Sequence, residues 1–274
     1  MLLSAWAAIC LFPLYWILIT SIKVSEFEPD GSTFLPFIDF SPSLESWRYI
    51  LFDSHDETMF RFTVSLAVAS SSTGLTVALA APAAFALARG LPGVPAAPRL
   101  SLLIMLATRI LPPYVIILPI YILLQRLNIL DSPVGLIVVY TVINLPISLW
   151  LLQEGFAMVP AETLDAAALD GATNIRQLWD IALPLSRSEL WSAALFVFFL
   201  CWNEYPIATM LTAGHAQTLP AYLVAQMAVR EQMASTEPQW GNFSAIIVLM
   251  VAPLLLCTGV MTRFLAGKGN RLAS

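Results

Sequence analysis

An all-α, polytopic transmembrane helical bundle of six spans is what this sequence predicts, and three observations carry that reading. Of the 274 residues, 58% are hydrophobic and only 11% charged, with a mean hydropathy of +0.78. A soluble domain is about 25% charged. The apolar residues gather into long runs, and a spanning helix needs about 20 of them in succession. One polar stretch, residues 160–189, interrupts this pattern with helix-start and helix-stop signals of its own.

The six runs are 2–22, 60–88, 100–124, 134–152, 190–210 and 243–264. The first lacks the basic leader and small-residue cleavage site of a signal peptide, so it reads as a helix. The second is long enough to tilt or to extend beyond the bilayer. An even number of spans puts both termini on one side. With that side cytoplasmic, the inner segments hold Arg89, Arg99, Arg176, Arg187, Arg263, Lys268 and Arg271. The outer segments hold Lys23, Arg48, Arg61, Arg126 and Arg230. That positive-inside excess is small, so the nature of the 160–189 loop decides the orientation. The outer segments 23–59 and 211–242 carry prolines and aromatics and read as surface loops with short helices. Residues 1–274 therefore form a single transmembrane domain, with 160–189 as a loop within it.

Several chemistries are disfavoured. The net charge of -5 is not clustered, which argues against nucleic acid. Cys10, Cys201 and Cys257 fall in apolar runs without CxxC spacing. His55 and His215 are isolated, so no metal set is apparent. The chain has no G-x-x-x-x-G-K-[ST], HExxH or G-x-S-x-G pattern, so ATP-driven work would need a separate ATPase chain. It also lacks the internal repeat common in secondary transporters.

The interrupting loop reads PAETLDAAALDGATNIRQLWDIALPLSRSE. Pro160 suits the first helical position, where its missing N–H costs nothing. Glu162 follows in the first turn, near the positive end of the helix dipole. Ala161, Ala166, Ala167 and Ala168 are strong helix formers without bulk. Gly171 ends the helix as a left-handed residue would. A second helix is predicted from Asn174, with Gln177 as capping-box partner. Pro184 stops it, and Ser186 with Glu189 repeats the box spacing to open the fifth span. Such a hairpin must face water. It either lies on the protein's own surface or offers a small-faced surface to a partner.

The residues Asp165, Ala166, Ala167, Asp170, Gly171 and Ala172, followed by Leu183 and Pro184, resemble the EAA loop of ABC-importer permeases. AAFALAR at 83–89, RILPPYVIILPIY at 109–121, NLPISLWLL at 144–152 and FFLCWNEYPIA at 198–208 resemble the maltose-type carbohydrate permeases of that class. So do TLP at 218–220 and WGNFSA at 240–245. The chain departs from the family pattern at Asp165 (glutamate in the family), at Ser188 (proline) and around Val64 (asparagine).

The resemblance implies a permease subunit of an ATP-driven, binding-protein-dependent carbohydrate importer that couples ATPase motions to alternating access. It implies a multi-pass protein of a prokaryotic cytoplasmic (inner) membrane, with both termini and the coupling helices in the cytoplasm. The implied partners are a second homologous permease, two ATPase subunits and an extracytoplasmic solute-binding protein. No cofactor is expected on this chain, since ATP and Mg belong to the ATPases. The six loop residues would couple to the ATPase, and an acidic Asp165 would pair with a basic residue there.

Ionisable residues inside spans usually serve function. Arg109 and Glu204 are expected to pair within the membrane, a pairing that reads first as fixing helix packing and second as part of a pathway, and Asn144, Asn203 and Tyr205 to line a sugar route. Trp150 and Trp202 read as interfacial anchors. Ser70, Gly74, Ala78 and Ala81 form a small-residue stripe suited to close helix packing. Two alternatives stand beside this reading. One is a permease for another small polar solute. The other is an intramembrane enzyme centred on Glu204 and Arg109, although no nucleophile–base pair is visible.

Overall fold

The computed structural model describes residues 2–23, 34–53, 55–90, 103, 106–107, 112–214, 216–232 and 240–269. Among these the chain is helical, with one isolated bridge between Pro36 and Phe40. Its elements are α1 (Leu2–Thr20), α2 (Glu45–Arg48, continued by a π turn over Tyr49–Asp53) and α3 (His55–Arg89). Next come α4 (Pro113–Arg126), α5 (Pro133–Ala157) and α6 (Ala161–Leu169). The short α7 (Asn174–Gln177) runs on through a π turn (Leu178–Ala182) and a last turn (Leu183–Leu185). The chain closes with α8 (Arg187–Trp202), α9 (Pro206–Leu211), α10 (Leu219–Gln232) and α11 (Trp240–Gly269).

Three stretches are by themselves long and apolar enough to cross a bilayer: Glu57–Arg89, Pro133–Ala157 and Trp240–Gly259. Asn174–Leu185 and Arg187–Trp202 make a fourth as a pair bent by 82°. Trp6–Thr20 and Tyr114–Arg126 are shorter apolar helices. Prolines sit inside α1, α3, α4, α5 and α11 (Pro13, Pro82, Pro119, Pro146 and Pro253). Membrane helices tolerate them because neighbouring groups satisfy the freed carbonyls.

The run 190–210 is not one continuous helix, contrary to expectation. α8 ends at Trp202, the chain opens over Asn203–Tyr205, and α9 restarts at Pro206. Pro206 has no N–H to give the preceding turn, so the ladder breaks there. Glu204 then serves the restart, its Oε1 accepting from the Ile207 N–H at 3.2 Å.

The chain divides into two compact units, Met1–Ser65 with Gln217–Cys257, and Leu66–Ala216 with Thr258–Ser274. In the first, Ile50, Leu219, Tyr222, Leu223, Phe243, Ala245 and Ile246 form a buried apolar cluster. Ser65 Oγ accepts from the Leu219 N–H at 2.7 Å and ties α10 to α3. Close packing there depends on Gly241, where a Cβ would come within 2.3 Å of Ser46 Oγ. Burial and the neighbouring Glu57 carboxylate push the Tyr222 phenol up to about 12.

The second unit contains the loop 160–189 and the helix ends that receive it. Ala80, Ala84 and Phe85 of α3 pack with Leu149, Leu152 and Phe156 of α5 and Ala193 of α8. The start of α5 is fixed by Ser132, whose Oγ accepts from the Gly135 N–H at 3.1 Å, with Pro133 in the first turn. Just before it, Asp131 Oδ1 accepts from the N–H groups of Ala213, Gly214 and Ala216 at 3.2, 3.2 and 3.4 Å.

Candidate functional site

The loop folds as a helical hairpin whose turn is set by Gly171 at φ +86°. Gly171 donates to Ala168 O at 3.0 Å, and Ala172 donates to Ala167 O at 2.9 Å. These are the paired bonds of a Schellman ending, with Asp170 as C-cap and glycine in the left-handed position. Pro160 is the N-cap rather than the first helical residue, and Glu162 lies in the first turn.

The second helix starts differently from the predicted capping box. Thr173 is its N-cap, with Oγ1 accepting from the Arg176 N–H at 3.4 Å. Gln177 turns inward, 4% exposed, and donates to Ala172 O at 3.1 Å. Thr173 competes better than Asn174 because its hydroxyl lies one residue earlier, where an extended backbone (ψ 161°) aims it at the new helix. Nor does Ser186 cap α8. Its hydroxyl donates to Gly155 O at 3.4 Å, while Glu189 accepts from Ser188 Oγ at 2.8 Å. Pro184 does not stop the helix. It sits in the last turn, and the chain bends after Leu185.

The hairpin has two faces. Leu164, Leu178 and Ala182, at 1%, 6% and 0% exposure, enter the apolar cluster at the ends of α3 and α5. Leu169, Ile175 and Trp179 point away, at 90%, 72% and 64% exposure. Leu164 and Leu169 are five residues apart, about 140° on a helical wheel, so their opposite placement was available from the sequence. Sequence reasoning named the small residues and passed over these three large ones. Around the turn, Ala166 and Asp170 are exposed, and Ala167 and Ala172 are half-buried.

Asp165 was expected to meet a basic residue of a partner. Here its Oδ1 accepts from Arg89 Nη2 at 2.7 Å. The last turns of α3 share an apolar cluster with Leu164 of α6, which brings the arginine at the end of α3 to Asp165. The Asp165 side chain stays 66% exposed, so one pair within the chain does not bury it. Across the elbow, α5 and α8 approach so closely that a Cβ on Gly155 would lie 2.7 Å from Glu189 Cβ.

Of the residues expected along a membrane pathway, Asn144 lies at the contact between α5 and α8, and Asn203, Glu204 and Tyr205 form the break after α8. Arg109 lies outside the described residues, so its expected pairing with Glu204 has no geometry here. Asn144 is 4% exposed and donates to Tyr140 O at 2.8 Å and to Cys201 Sγ at 3.3 Å, joining α5 to α8. Tyr140 Oη in turn donates to Glu204 O at 3.4 Å. Asn203 is exposed and donates to Phe199 O at 2.9 Å, and Tyr205 is 42% exposed at the break. Trp202 is no interfacial anchor: it is 1% exposed and stacked on Phe198 at 5.8 Å between ring centroids. Of the small-residue stripe, Ser70, Gly74 and Ala78 are exposed and only Ala81 is buried.

The hairpin is thus a polar loop seated on the helix ends by its inner leucines, with large apolar residues on its outer face. A family model described as "Binding-protein-dependent transport system inner membrane component" matches residues 65–268. The chain belongs to that family. It is 28% identical over 263 residues to the trehalose/maltose transport system permease protein MalG of Thermococcus litoralis, covering 94% of this chain and 89% of MalG. It is 30% identical over 272 residues to the diacetylchitobiose uptake system permease protein NgcG of Streptomyces coelicolor, covering 97% and 85%. The sulfoquinovosyl glycerol transport system permease protein SmoH of Agrobacterium fabrum is 31% identical over 248 residues, covering 90% and 82%. The fold matches a chain of a bacterial ABC transporter involved in import of the acidic polysaccharide alginate. That match has TM-score 0.75 and 20% identity, and covers 96% of this chain and 93% of the other.

Proposed function

We propose that this chain is one permease subunit of an ATP-driven, binding-protein-dependent carbohydrate importer. It works beside a second permease, two ATPase subunits that hold ATP and Mg, and an external solute-binding protein. In this reading all of 1–274 is one permease domain that crosses the inner membrane six times with both termini in the cytoplasm. The 160–189 hairpin meets the ATPase through Asp165, Ala166, Ala167, Asp170, Gly171 and Ala172, with Leu169, Ile175 and Trp179 supplying apolar contact.

The observation that carries this is the two-faced hairpin. Its inner leucines lock it to α3 and α5, and its outer side leaves three large apolar residues without cover among the described residues. Exposed apolar groups mark contacts with protein or membrane, and the polar residues of this loop keep it out of hydrocarbon, which favours a protein. The carbohydrate assignment rests on relatives such as MalG and NgcG, whose names give sugars as their cargo.

The test is reconstitution of the two permeases and the ATPase in proteoliposomes with their binding protein. Sugar-loaded binding protein should raise ATP hydrolysis and sugar uptake together. Stimulation by a charged osmolyte and not by any sugar would replace the substrate class. Failure of an ATPase to assemble with the chain would overturn the reading.

A further inference from the structure

We propose that the turn 34–40 is a membrane-interface anchor, with Phe37 and Ile38 inserted among lipid beside α1. The inference is separate from the transport reading and rests on α1 being a membrane span.

The turn reads FLPFIDF and leaves Phe37 and Ile38 at 86% and 79% exposure. It does not project outward from the end of α1 but folds back along its flank. The Phe34 ring lies 5.4 Å from Trp16 and 6.3 Å from Phe12. Tyr15 Oη donates to Phe34 O. Trp16 and Phe12 precede Thr20 by four and eight residues, which is about 6 and 12 Å back along the helix. The following chain returns to the helix end, where the Ser43 N–H donates to Ile22 O at 2.8 Å. The turn thus sits at the depth of the last two turns of an apolar helix. Phe12 and Trp16 there are themselves 50% and 38% exposed.

Such a depth excludes any backbone donor that relies on water. The turn meets that demand internally for its N–H groups, with an exposed Asp39 carboxylate that suits the interface rather than the hydrocarbon centre. Asp39 Oδ2 accepts from the N–H groups of Phe34 and Leu35 at 2.9 and 2.8 Å. Phe37 N–H donates to Phe40 O at 2.9 Å, and Ile38 and Asp39 N–H both donate to Leu35 O at 3.3 and 2.9 Å. Pro36 has no N–H to satisfy. Every backbone N–H from Phe34 to Asp39 therefore has a partner inside the turn.

Phe37 also holds φ +68°, a conformation that a bulky residue adopts only where surrounding contacts enforce it. Lys23 folds back over the turn, with Nζ 4.8 Å over the Trp16 ring and 5.1 Å over Phe40, so that its charge rests on aromatic faces at the edge of the turn. Apolar tips, an internally satisfied backbone and an adjacent cation fit an interfacial bilayer better than a water-soluble partner.

The test uses the full chain, co-expressed with its partner subunits and reconstituted in nanodiscs, with Cys10, Cys201 and Cys257 replaced by alanine. An environment-sensitive fluorophore is attached through Phe37→Cys, Ile38→Cys, Leu44→Cys or Trp6→Cys, one at a time. Nanodiscs containing bromine-labelled phosphatidylcholine should quench positions 37 and 38 several times more than Leu44, which is 68% exposed near the helix end. Aqueous iodide should show the reverse order. Trp6, 65% exposed within α1, should be quenched by brominated lipid alone. Lipid quenching at Trp6 with iodide quenching at 37 and 38 would overturn the anchor. So would protection at 37 and 38 from both quenchers, or protection gained only on adding the solute-binding protein, since either places a protein over the turn. No lipid quenching at Trp6 would overturn α1 as a span and the anchor with it.

Discussion

Replacing Gly171 tests whether the hairpin works through its backbone shape. The residue sits at φ +86°, and a Cβ built there meets no atom within 4 Å. Within this chain the cost of a side chain is therefore conformational, with no steric part. Holding an L-residue in the left-handed region costs about 1–2 kcal/mol. Escaping that region forfeits the Gly171–Ala168 and Ala172–Ala167 bonds, each worth about 0.5–1.5 kcal/mol net. By either route the docking-competent turn loses about 1–3 kcal/mol, and 1.4 kcal/mol is about a tenfold change in its population. Because the cost is in the backbone, Gly171→Ala should weaken ATPase association and coupled uptake nearly as much as Gly171→Leu. Gly171→Asn should recover much of the loss, since asparagine tolerates positive φ. The assay is sugar uptake per ATP hydrolysed in proteoliposomes, with expression and ATPase occupancy normalised. An alanine variant equal to wild type beside a dead leucine variant would refute the backbone argument and point to a clash with the partner.

Arg89→Asp or Asp165→Lys should each weaken seating of the hairpin, and the swap of both charges should restore it in part; the exposed pair is worth only about 0–1 kcal/mol, so co-purification of the ATPase, rather than melting, is the sensitive readout. Loss in Asp165→Lys with Arg89→Asp near wild type and no recovery in the swap would show that Asp165 acts on the ATPase alone, while Asp165→Glu should be tolerated. Gly155→Ala should overpack the α5–α8 contact against Glu189 and destabilise the protein by about 1–3 kcal/mol; an unchanged melting temperature in nanodiscs would argue against that contact. Tyr222 has a folded-state pKa raised from 10.0 to about 12, so the folded state binds more protons than the unfolded one between those values. Its contribution is complete below pH 10 and lost as the pH rises through about 12; Tyr222→Phe should flatten stability over that window, and an identical profile would count against the burial.

Composition and run length made the helical membrane fold legible, because lipid allows a spanning chain few alternatives. The hairpin was legible for a local reason: alanine-rich helix, left-handed glycine and second helix all lie within a few residues of one another. What the sequence hid was long-range or decided by close competition. Arg89 and Asp165 are 76 positions apart, and nothing local tells an arginine at a helix end which carboxylate it will find. Thr173 and Asn174 are both good caps, and backbone geometry chose between them. The break at Asn203–Tyr205 was foreshadowed by Pro206, yet an unbroken apolar run outweighed that single residue. Asn144 stood out because it is polar in a span, and its bond to Cys201, 57 positions away, is long-range in the same sense.

The two ends of α5 hold different tethers. One end, at Leu152, Gly155 and Phe156, is clamped to the hairpin and to the elbow before α8. The other begins beside Asp131, whose carboxylate grips three amides of the segment 213–216. Twenty-five residues make a rod about 37 Å long. If that rod swings as a stiff piece, a tilt of about 3–5° applied at the hairpin becomes about 2–3 Å of travel at Asp131, and the amides travel too. The helix then acts as a pushrod, carrying a displacement at the hairpin to its other end without any chain of rearranged side chains. Spin-label distances between the hairpin and residue 213 that change on ATP binding by the amount Asp131→Ala abolishes would reveal that gearing. Unaltered changes in the variant would show the segment moving by itself.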